Sequence, residues 1–320
     1  MPVQSTPTLP TSPTSPTSFI RRSGIRLLML TSAVVLFATG CAQLTQKERE
    51  LVFRIEPGTP SWFSGLPAGV QEFHIPVNNT ATSDGKPQQL HTWWWPAATP
   101  GAPTVLYLHG ARWNLTGQLF RIEQLRSFGF SVLAIDYRGF GKSDGELPSE
   151  ETVYEDAHIA WKHLATLQPD PARRFIYGHS LGGAIAVDLA ARLSEASDRD
   201  GTPLPAQGLI VESSFTTLAD IARALTSPLL PVQLFLTQKF DSVGKISSVR
   251  MPLLVVHGTG DRYVPAHFSQ ALYAAAKGAK KLLLIDGATH NNSMRMGSAE
   301  YRQALNELFG LDQRFGIVQR

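Results

Sequence analysis

The chain has 320 residues, of which 43% are hydrophobic and 17% are charged, so it is long enough and apolar enough to bury a large core. Its single cysteine excludes a disulfide framework, an iron–sulfur centre and a cysteine-ligated zinc site. The formal net charge of +3 comes from three arginines in residues 1–40, and the rest of the chain is neutral. Because nucleic-acid binding depends on neutralising many phosphates, a nucleic acid is not expected as a partner.

The first forty residues predict an export signal. Residues 5–18 are a near-repeat of Ser, Thr and Pro, a composition that cannot bury apolar area and is typical of disorder. Three arginines follow, and then a mostly apolar run over residues 27–39, which is shorter than the about 20 residues of a bilayer span. A basic region, a short apolar core and small residues form the pattern of a signal peptide. We therefore expect a leader over residues 1–40 and an exported protein.

Cys41 directly follows this signal, after the small residues Ala-Thr-Gly. The ending resembles that of bacterial lipoproteins, whose cysteine is diacylated and becomes the mature N-terminus. The resemblance implies that Cys41 carries the lipid and holds the protein at a membrane of the cell envelope, since two or more acyl chains give durable anchoring. An uncleaved N-terminal anchor with an incidental Cys41, or a soluble protein with a misread start, are the alternatives.

After a predicted linker over residues 41–69, residues 70–320 predict one domain. We predict strands at residues 70–77, 89–95, 104–108, 132–136, 174–177, 209–212, 253–257 and 281–285. We predict helices at residues 117–128, 150–167, 181–193, 264–277 and 299–309. The later strands are apolar throughout, as strands buried on both faces are, and they alternate with helices. The fold class is therefore α/β, a mainly parallel sheet that opens with an antiparallel pair.

Residues 215–249 interrupt this alternation because they are longer than a crossover between two strands requires. The segment contains two prolines and several leucines and phenylalanines. We predict an inserted cap over the carboxyl edge of the sheet. Its apolar composition favours an acyl or other small apolar substrate.

Residues 178–182 read Gly-His-Ser-Leu-Gly, which is the pattern G-x-S-x-G between a predicted strand and a predicted helix. The two glycines permit a sharp turn that lifts the Ser180 hydroxyl out at the top of the sheet. The helix N-terminus behind this turn favours negative charge. Ser180 is therefore the predicted nucleophile, and His179 is predicted to point away from it and pack.

A serine hydroxyl needs a base, and the base needs an orienting acid. Asp261 and His290 follow the last two predicted strands, so the chain order is serine, acid, histidine. We predict that His290 is the base and that Asp261 orients it. Glu212, at the end of the preceding strand, stays open as an alternative acid, and Asp286 is predicted to be a turn residue.

The loop that follows the first parallel strand reads His-Gly-Ala at residues 109–111. The backbone N–H groups of Ala111 and Leu181 are the predicted oxyanion hole. Residues 136–143 contain glycines and a Lys-Ser pair but lack the spacing of a phosphate-binding loop, so we predict a structural loop beside the nucleophile turn. No cluster has metal-ligand spacing, and no metal or cofactor is expected.

Taken together, these motifs resemble the α/β-hydrolase superfamily over roughly residues 70–310. The sequence VESSF, residues 239–265 and the sequence DGATHNN resemble its Bem46-like branch, near the serine aminopeptidase (S33) type domains. The resemblance implies Ser180, Asp261 and His290 as a catalytic triad, with an oxyanion hole at the amides of Ala111 and Leu181. Ala111 and the following arginine stand where an Asn-Ala pair is frequent, which bears on the polarity of the pocket.

The combined expectation is an exported, lipid-anchored serine hydrolase of the carboxylesterase type. It would cleave a small-molecule ester of unknown identity through an acyl-enzyme on Ser180. A thioester or peptide substrate stays open, as does an aminopeptidase, perhydrolase or acyltransferase reaction on the same fold. A catalytically silent binding module and a structural lipoprotein of the envelope are the alternatives outside enzymology.

Overall fold

The computed structural model describes residues 39–82, 85–202, 205–226, 233 and 236–316. The chain divides into two compact units, residues 1–47 and 48–320. Residues 39–53 are helical (α1), and Cys41 is exposed. The predicted leader lies outside the described residues as far as residue 38. Within the described residues, no helix is both long and apolar enough to cross a bilayer.

The second unit is built on one sheet of eight strands. The strands are β1 (Gln71–Ala81), β2 (Pro87–Trp95), β3 (Thr104–Leu108), β4 (Ser131–Ile135), β5 (Arg174–His179), β6 (Gly208–Glu212), β7 (Leu253–Gly258) and β8 (Lys280–Ile285). Their order across the sheet is β1-β2-β4-β3-β5-β6-β7-β8. β2 pairs antiparallel with both β1 and β4, and all other pairs are parallel. The predicted α/β class, with an antiparallel opening, is confirmed.

Helices cover both faces of this sheet. After α1 they are α2 (Leu119–Ser127), α3 (Glu150–Leu167), α4 (Leu181–Asp200), α5 (Leu218–Leu225), α6 (Ser242–Ile246), α7 (His267–Ala275), α8 (Ser293–Met296), α9 (Ser298–Phe309) and α10 (Leu311–Phe315). Successive strand residues point to opposite faces, so Leu106 packs in the core under α3 and α4, whereas Tyr107 packs in the core under α2 and α9. This two-sided burial explains why the central strands are apolar at every position.

The sequence predicted a linker over residues 41–69, and the structure differs from residue 48 onward. The Glu48 carboxylate accepts hydrogen bonds from the backbone N–H groups of Thr237 and Gln238, both at 2.8 Å. Phe53 is fully buried and packs edge-on against Phe140 and Phe240. A buried carboxylate with donors and a buried ring attach this segment to the domain, which therefore begins at Glu48 rather than at residue 70.

The predicted cap over residues 215–249 lies partly outside the described residues, which lack 227–232 and 234–235. The described remainder contains α5 and α6. α6 packs against α4 and α7, and Lys245 donates a hydrogen bond to Asp188 of α4 at 2.7 Å. Glu150 accepts hydrogen bonds from the N–H groups of Lys239 and Phe240 at 2.6 and 2.9 Å. The C-terminal part of the segment is therefore fixed to the helices beside the sheet.

A chain of charged groups crosses the antiparallel end of the sheet. His91 Nδ1 lies 2.7 Å from Asp136 Oδ2, and His91 Nε2 lies 2.7 Å from Glu72 Oε1. A hydrogen bond from Lys142, at 2.6 Å, is the largest influence on Glu72, whose pKa falls to about 2. Burial disfavours the charged form of His91, but the hydrogen bonds to Asp136 and Glu72 outweigh it and raise the pKa of His91.

We expect His91 to make the stability of the fold dependent on pH. A raised pKa means that the folded state holds the proton more tightly, so this stabilisation is complete below the ordinary value of 6.5 and is lost as pH rises through the folded-state pKa. The free energy of unfolding of the wild type should therefore exceed that of His91→Gln by a margin that shrinks as pH rises from about 6 to 9. Urea denaturation across this range measures the margin, and a margin that grows with pH would contradict the assignment.

Candidate active site

Ser180 occupies a strained turn between β5 and α4. Its φ of 55° and ψ of −120° are rare for a residue other than glycine. The Ser180 amide donates to the Glu212 carbonyl at 2.9 Å, and the Ser180 carbonyl accepts from the Ser214 hydroxyl at 2.9 Å. Glu212 is the last residue of β6, and Ser214 lies two residues beyond it. The end of this neighbouring strand therefore holds the turn in its conformation.

Two glycines allow the backbone to pass closely on either side of this turn. A Cβ atom on Gly178 would lie 2.1 Å from the Gly182 carbonyl oxygen, and one on Gly182 would lie 2.1 Å from the Leu108 carbonyl oxygen. The loop after β3 runs beside Ser180, since a Cβ atom on Gly110 would lie 3.1 Å from the Ser180 Cβ. A side chain at either glycine of the motif would therefore displace main chain.

Asp261 and His290 meet beyond the carboxyl ends of β7 and β8. His290 Nδ1 lies 2.7 Å from Asp261 Oδ2. The other oxygen, Oδ1, accepts from the N–H groups of Tyr263 and Val264, both at 2.9 Å. Burial opposes the charge on Asp261, but hydrogen bonds from His257 and His290 outweigh it and lower its pKa. The ionised carboxylate therefore accepts the Nδ1 proton of His290 and leaves Nε2 as the basic nitrogen.

A buried histidine, His257, contacts the Asp261 carboxylate. The side chain is fully buried at the end of β7, and its Nε2 lies 3.1 Å from Asp261 Oδ2 and 2.8 Å from the Val264 carbonyl oxygen. Its Nδ1 lies 2.6 Å from the Ser269 hydroxyl. Sequence analysis did not single out this histidine. The four-residue separation from Asp261 was the available signal that the two side chains share a turn.

The His290 ring lies beside the nucleophile turn. Its centroid is 4.8 Å from that of His179, the residue before Ser180, and His179 Nε2 is 2.9 Å from the His290 carbonyl oxygen. The Ser180 hydroxyl makes no hydrogen bond within the described chain, so this structure does not join it to His290. A hydrogen bond between a candidate nucleophile and base is often long before substrate binds and tightens when it does.

Arg121 of α2 ties His179 to the loop of the predicted base, and sequence analysis missed it. The side chain is 2% exposed. Its Nη2 lies 2.8 Å from His179 Nε2 and donates to the His290 carbonyl at 3.3 Å and to Asn291 Oδ1 at 3.2 Å. Burial, and then the charge of Arg121, hold the pKa of His179 well below its ordinary value, so His179 is neutral. An arginine within a predicted helix gave no sequence signal for this role.

Glu212, the alternative acid, has different partners. It is fully buried at the end of β6 and accepts hydrogen bonds from the hydroxyls of Tyr177 at 2.9 Å, Tyr301 at 3.1 Å and Ser293 at 3.0 Å. The carboxylate bonded to His290 is that of Asp261. The geometry thus separates the two acids, one in a hydroxyl network and one beside the imidazole.

The two predicted oxyanion donors lie on either side of Ser180. Leu181 is the first residue of α4, where an N–H group has no acceptor within the helix. Ala111 follows Gly110, which adjoins Ser180. Neither amide donates a hydrogen bond within the part of the chain that is described. Both donors are therefore available to a ligand oxygen.

The loop after β4, residues 136–143, makes structural bonds. Asp136 accepts from the Leu115 amide at 2.8 Å, and the Tyr137 hydroxyl donates to the His109 carbonyl at 3.1 Å. The His109 carbonyl belongs to the loop beside Ser180. The 136–143 loop therefore supports the loop at residues 109–111, which contains the predicted oxyanion donor Ala111.

The surroundings of the site hold no metal-ligand cluster of three or more His, Cys, Asp or Glu side chains among the described residues. A groove of about 650 Å³ lies between α2 and the residues around His290. Phe120, Glu123 and Asn291 are among its lining residues, and Ser180 is not. The groove therefore flanks the candidate site without containing its nucleophile.

Comparison with known proteins places this geometry in a family. The sequence profile of the serine aminopeptidase S33 family matches residues 100–232. The Mycobacterium tuberculosis protein Rv2307c is 34% identical over 271 residues, which are 83% of this chain and 89% of that protein. The chain belongs to the α/β-hydrolase superfamily, in the family of Rv2307c.

One further relative and one solved structure are similar to this hydrolase. Lysophosphatidylserine lipase ABHD12 of Danio rerio is 32% identical over 199 residues, which are 56% of this chain and 49% of that protein. The structure of the Pyrococcus furiosus esterase Pf2001 aligns with a TM-score of 0.57 and 21% identity over 82% of this chain and 95% of that one. The second likeness supports the α/β-hydrolase fold.

Proposed function

We propose that this hydrolase cleaves carboxylic esters through an acyl-enzyme on Ser180, with His290 as the base and Asp261 as the orienting acid. The observation that carries the proposal is the 2.7 Å bond from His290 Nδ1 to the ionised Asp261, on a loop that lies against the strained nucleophile turn. The proposal requires that the side chains of these three loops act on one substrate atom.

The mechanism follows from these positions. His290 Nε2 accepts the Ser180 proton as Oγ attacks the ester carbonyl, and Asp261 stabilises the resulting imidazolium. The oxygen of the tetrahedral intermediate accepts hydrogen bonds from the amides of Ala111 and Leu181. His290 then protonates the leaving alcohol. A water molecule that gives its proton to His290 attacks the acyl-enzyme, releases the acid and restores the Ser180 hydroxyl.

Esters are favoured over other acyl compounds by the name of one relative, a lysophosphatidylserine lipase. The S33 profile is named for a serine aminopeptidase, which makes a peptide bond the second candidate. Turnover of p-nitrophenyl esters from acetate to palmitate, compared with that of amino-acid p-nitroanilides, separates the two and defines the preferred acyl chain.

Ser180→Ala tests the nucleophile. We expect turnover of p-nitrophenyl esters to fall by several orders of magnitude, since the other residues of such a triad are ineffective without the nucleophile. The free energy of unfolding should stay within about 1 kcal/mol of the wild type, because the hydroxyl makes no hydrogen bond within the described residues. Turnover that persists in the purified variant would assign the chemistry to another residue.

Asp261→Asn and Glu212→Gln form a matched pair that tests the acid. An amide at residue 261 cannot hold the required tautomer of His290, so we expect kcat to fall by about 10⁴-fold. The same change at Glu212 should lower the melting temperature, because it disturbs three buried hydroxyl partners, and should change kcat by less than about tenfold. A large loss of kcat in Glu212→Gln, with Asp261→Asn close to the wild type, would reverse the assignment.

We also propose that the enzyme is exported and anchored in the cell envelope through a lipid on Cys41. The support is the order of the leader residues and the exposure of Cys41, whose thiol is free. The mass of the mature N-terminal peptide measures the modification. A diacylglyceryl group on Cys41 is the expected result, and an unmodified Cys41 within an intact leader would contradict it.

A further inference from the structure

Residues 53–62, which we call the N-terminal strap, run along the loop that contains Ala111. The Arg112 amide donates to the Phe53 carbonyl at 2.8 Å, and the Glu56 amide donates to the Arg112 carbonyl at 2.7 Å. These reciprocal bonds fix both peptide groups of the residue that directly follows the predicted oxyanion donor. The S33 profile, which begins at residue 100, does not include this segment.

Side chains extend the contact along the loop. Asn114 Nδ2 donates to the Gly58 carbonyl at 2.8 Å, and Arg112 Nε lies 3.1 Å from Glu56 Oε1. The rings of Trp62 and Trp113 meet edge to face, with centroids 5.3 Å apart. Each of residues 112, 113 and 114 therefore contacts the strap.

Arg112 is held in an unfavourable conformation. Its φ of 87° lies in the left-handed region, which side chains other than glycine rarely adopt. Such a conformation persists only where the surrounding structure over-determines it. The two backbone bonds from the strap supply that constraint, because they hold the N–H and the C=O of Arg112 at once. Without them, Arg112 would relax toward negative φ and turn the loop that it shares with Ala111.

We propose that the N-terminal strap is a positioning element of the oxyanion hole, which keeps the Ala111 N–H directed at the oxygen that becomes negative in the reaction. The proposal rests on the function proposed above. A donor of this kind is effective only within hydrogen-bond distance of the developing oxyanion, so a small movement of the loop reduces the rate more than it reduces substrate binding. In chain order, the strap comes after the proposed anchor at Cys41 and before the loop that contains Ala111.

Gly58 and Gly85 provide a matched pair of test sites in the full chain. Their φ values are 81° and 80°, and a Cβ atom on either meets no atom of the described residues within 4 Å. Valine at either position therefore causes the same backbone strain and has open space for its Cβ, but only Gly58 belongs to the strap. The measurements are kcat and KM for a p-nitrophenyl ester, and the inhibition constant of a trifluoromethyl ketone with the same acyl group, whose adduct with Ser180 places an oxyanion in the hole.

In Gly58→Val we expect kcat/KM to fall by about tenfold or more and the inhibition constant to rise by the same factor, with KM within about threefold of the wild type. Gly85→Val should leave all three values within about twofold. A positioning role predicts that turnover and ketone affinity fall together. A general loss of stability would not produce this parallel change. Equal effects of the two substitutions, or an unchanged inhibition constant in Gly58→Val, would overturn the proposal.

Glu56→Pro and Glu56→Ala repeat the test should Gly58→Val fail to fold. Proline removes the N–H that donates to the Arg112 carbonyl, whereas alanine removes only the exposed ion pair. The loss of kcat/KM and of ketone affinity should appear with proline alone, and its absence there would overturn the proposal. A wild-type protein that neither cleaves esters nor binds the ketone would instead refute the proposed function, and this inference with it.

Discussion

The hydrogen bond between Asp261 and His290 is the interaction on which the proposed chemistry depends. It exists because the loops after β7 and β8 are bonded to each other as well as to the sheet. Thr259 N donates to the Ile285 carbonyl, and Gly260 N donates to the Ala288 carbonyl, both at 2.9 Å. Parallel pairing of β7 with β8 thus continues past the strand ends and brings a carboxylate and an imidazole to one place.

The proposed nucleophile depends on a second constraint, the strain at Ser180. The positive φ of this residue is unfavourable by itself, and the end of β6 holds it through the Glu212 carbonyl and the Ser214 hydroxyl. The absence of side chains at Gly178 and Gly182 lets these segments approach closely enough to do so. A conformation that exposes one hydroxyl above the sheet is therefore maintained by three neighbouring strands, and strain of this kind is typical of functional sites.

Sequence patterns predicted the features that depend on local order. The apolar runs and the glycine spacing were sufficient for the strands, the α/β class and the turn at Ser180, because burial on both faces and tight turns restrict composition directly. The contacts of Glu48 with Thr237 join residues 189 positions apart, and no periodicity marks them. The predicted linker was therefore extended past residue 47, where the structure already belongs to the domain.

Long-range contacts also decide the details around the histidines. Arg121 and His290 are 169 residues apart. Because no local pattern marks so distant a contact, the predicted helix did not indicate that Arg121 would be buried beside the site. The choice between Asp261 and Glu212 likewise needed coordinates, since both residues follow strand ends. The structure distinguishes them by their partners, an imidazole in one case and three hydroxyls in the other.

The central claim, that the Ser180 hydroxyl has been made unusually reactive, is tested most directly by covalent labelling. The purified protein would be treated with a fluorophosphonate, digested and mapped by mass spectrometry. We expect a single phosphonate adduct, on the peptide that contains Ser180. No adduct on native protein, or an adduct on a different serine, would contradict it.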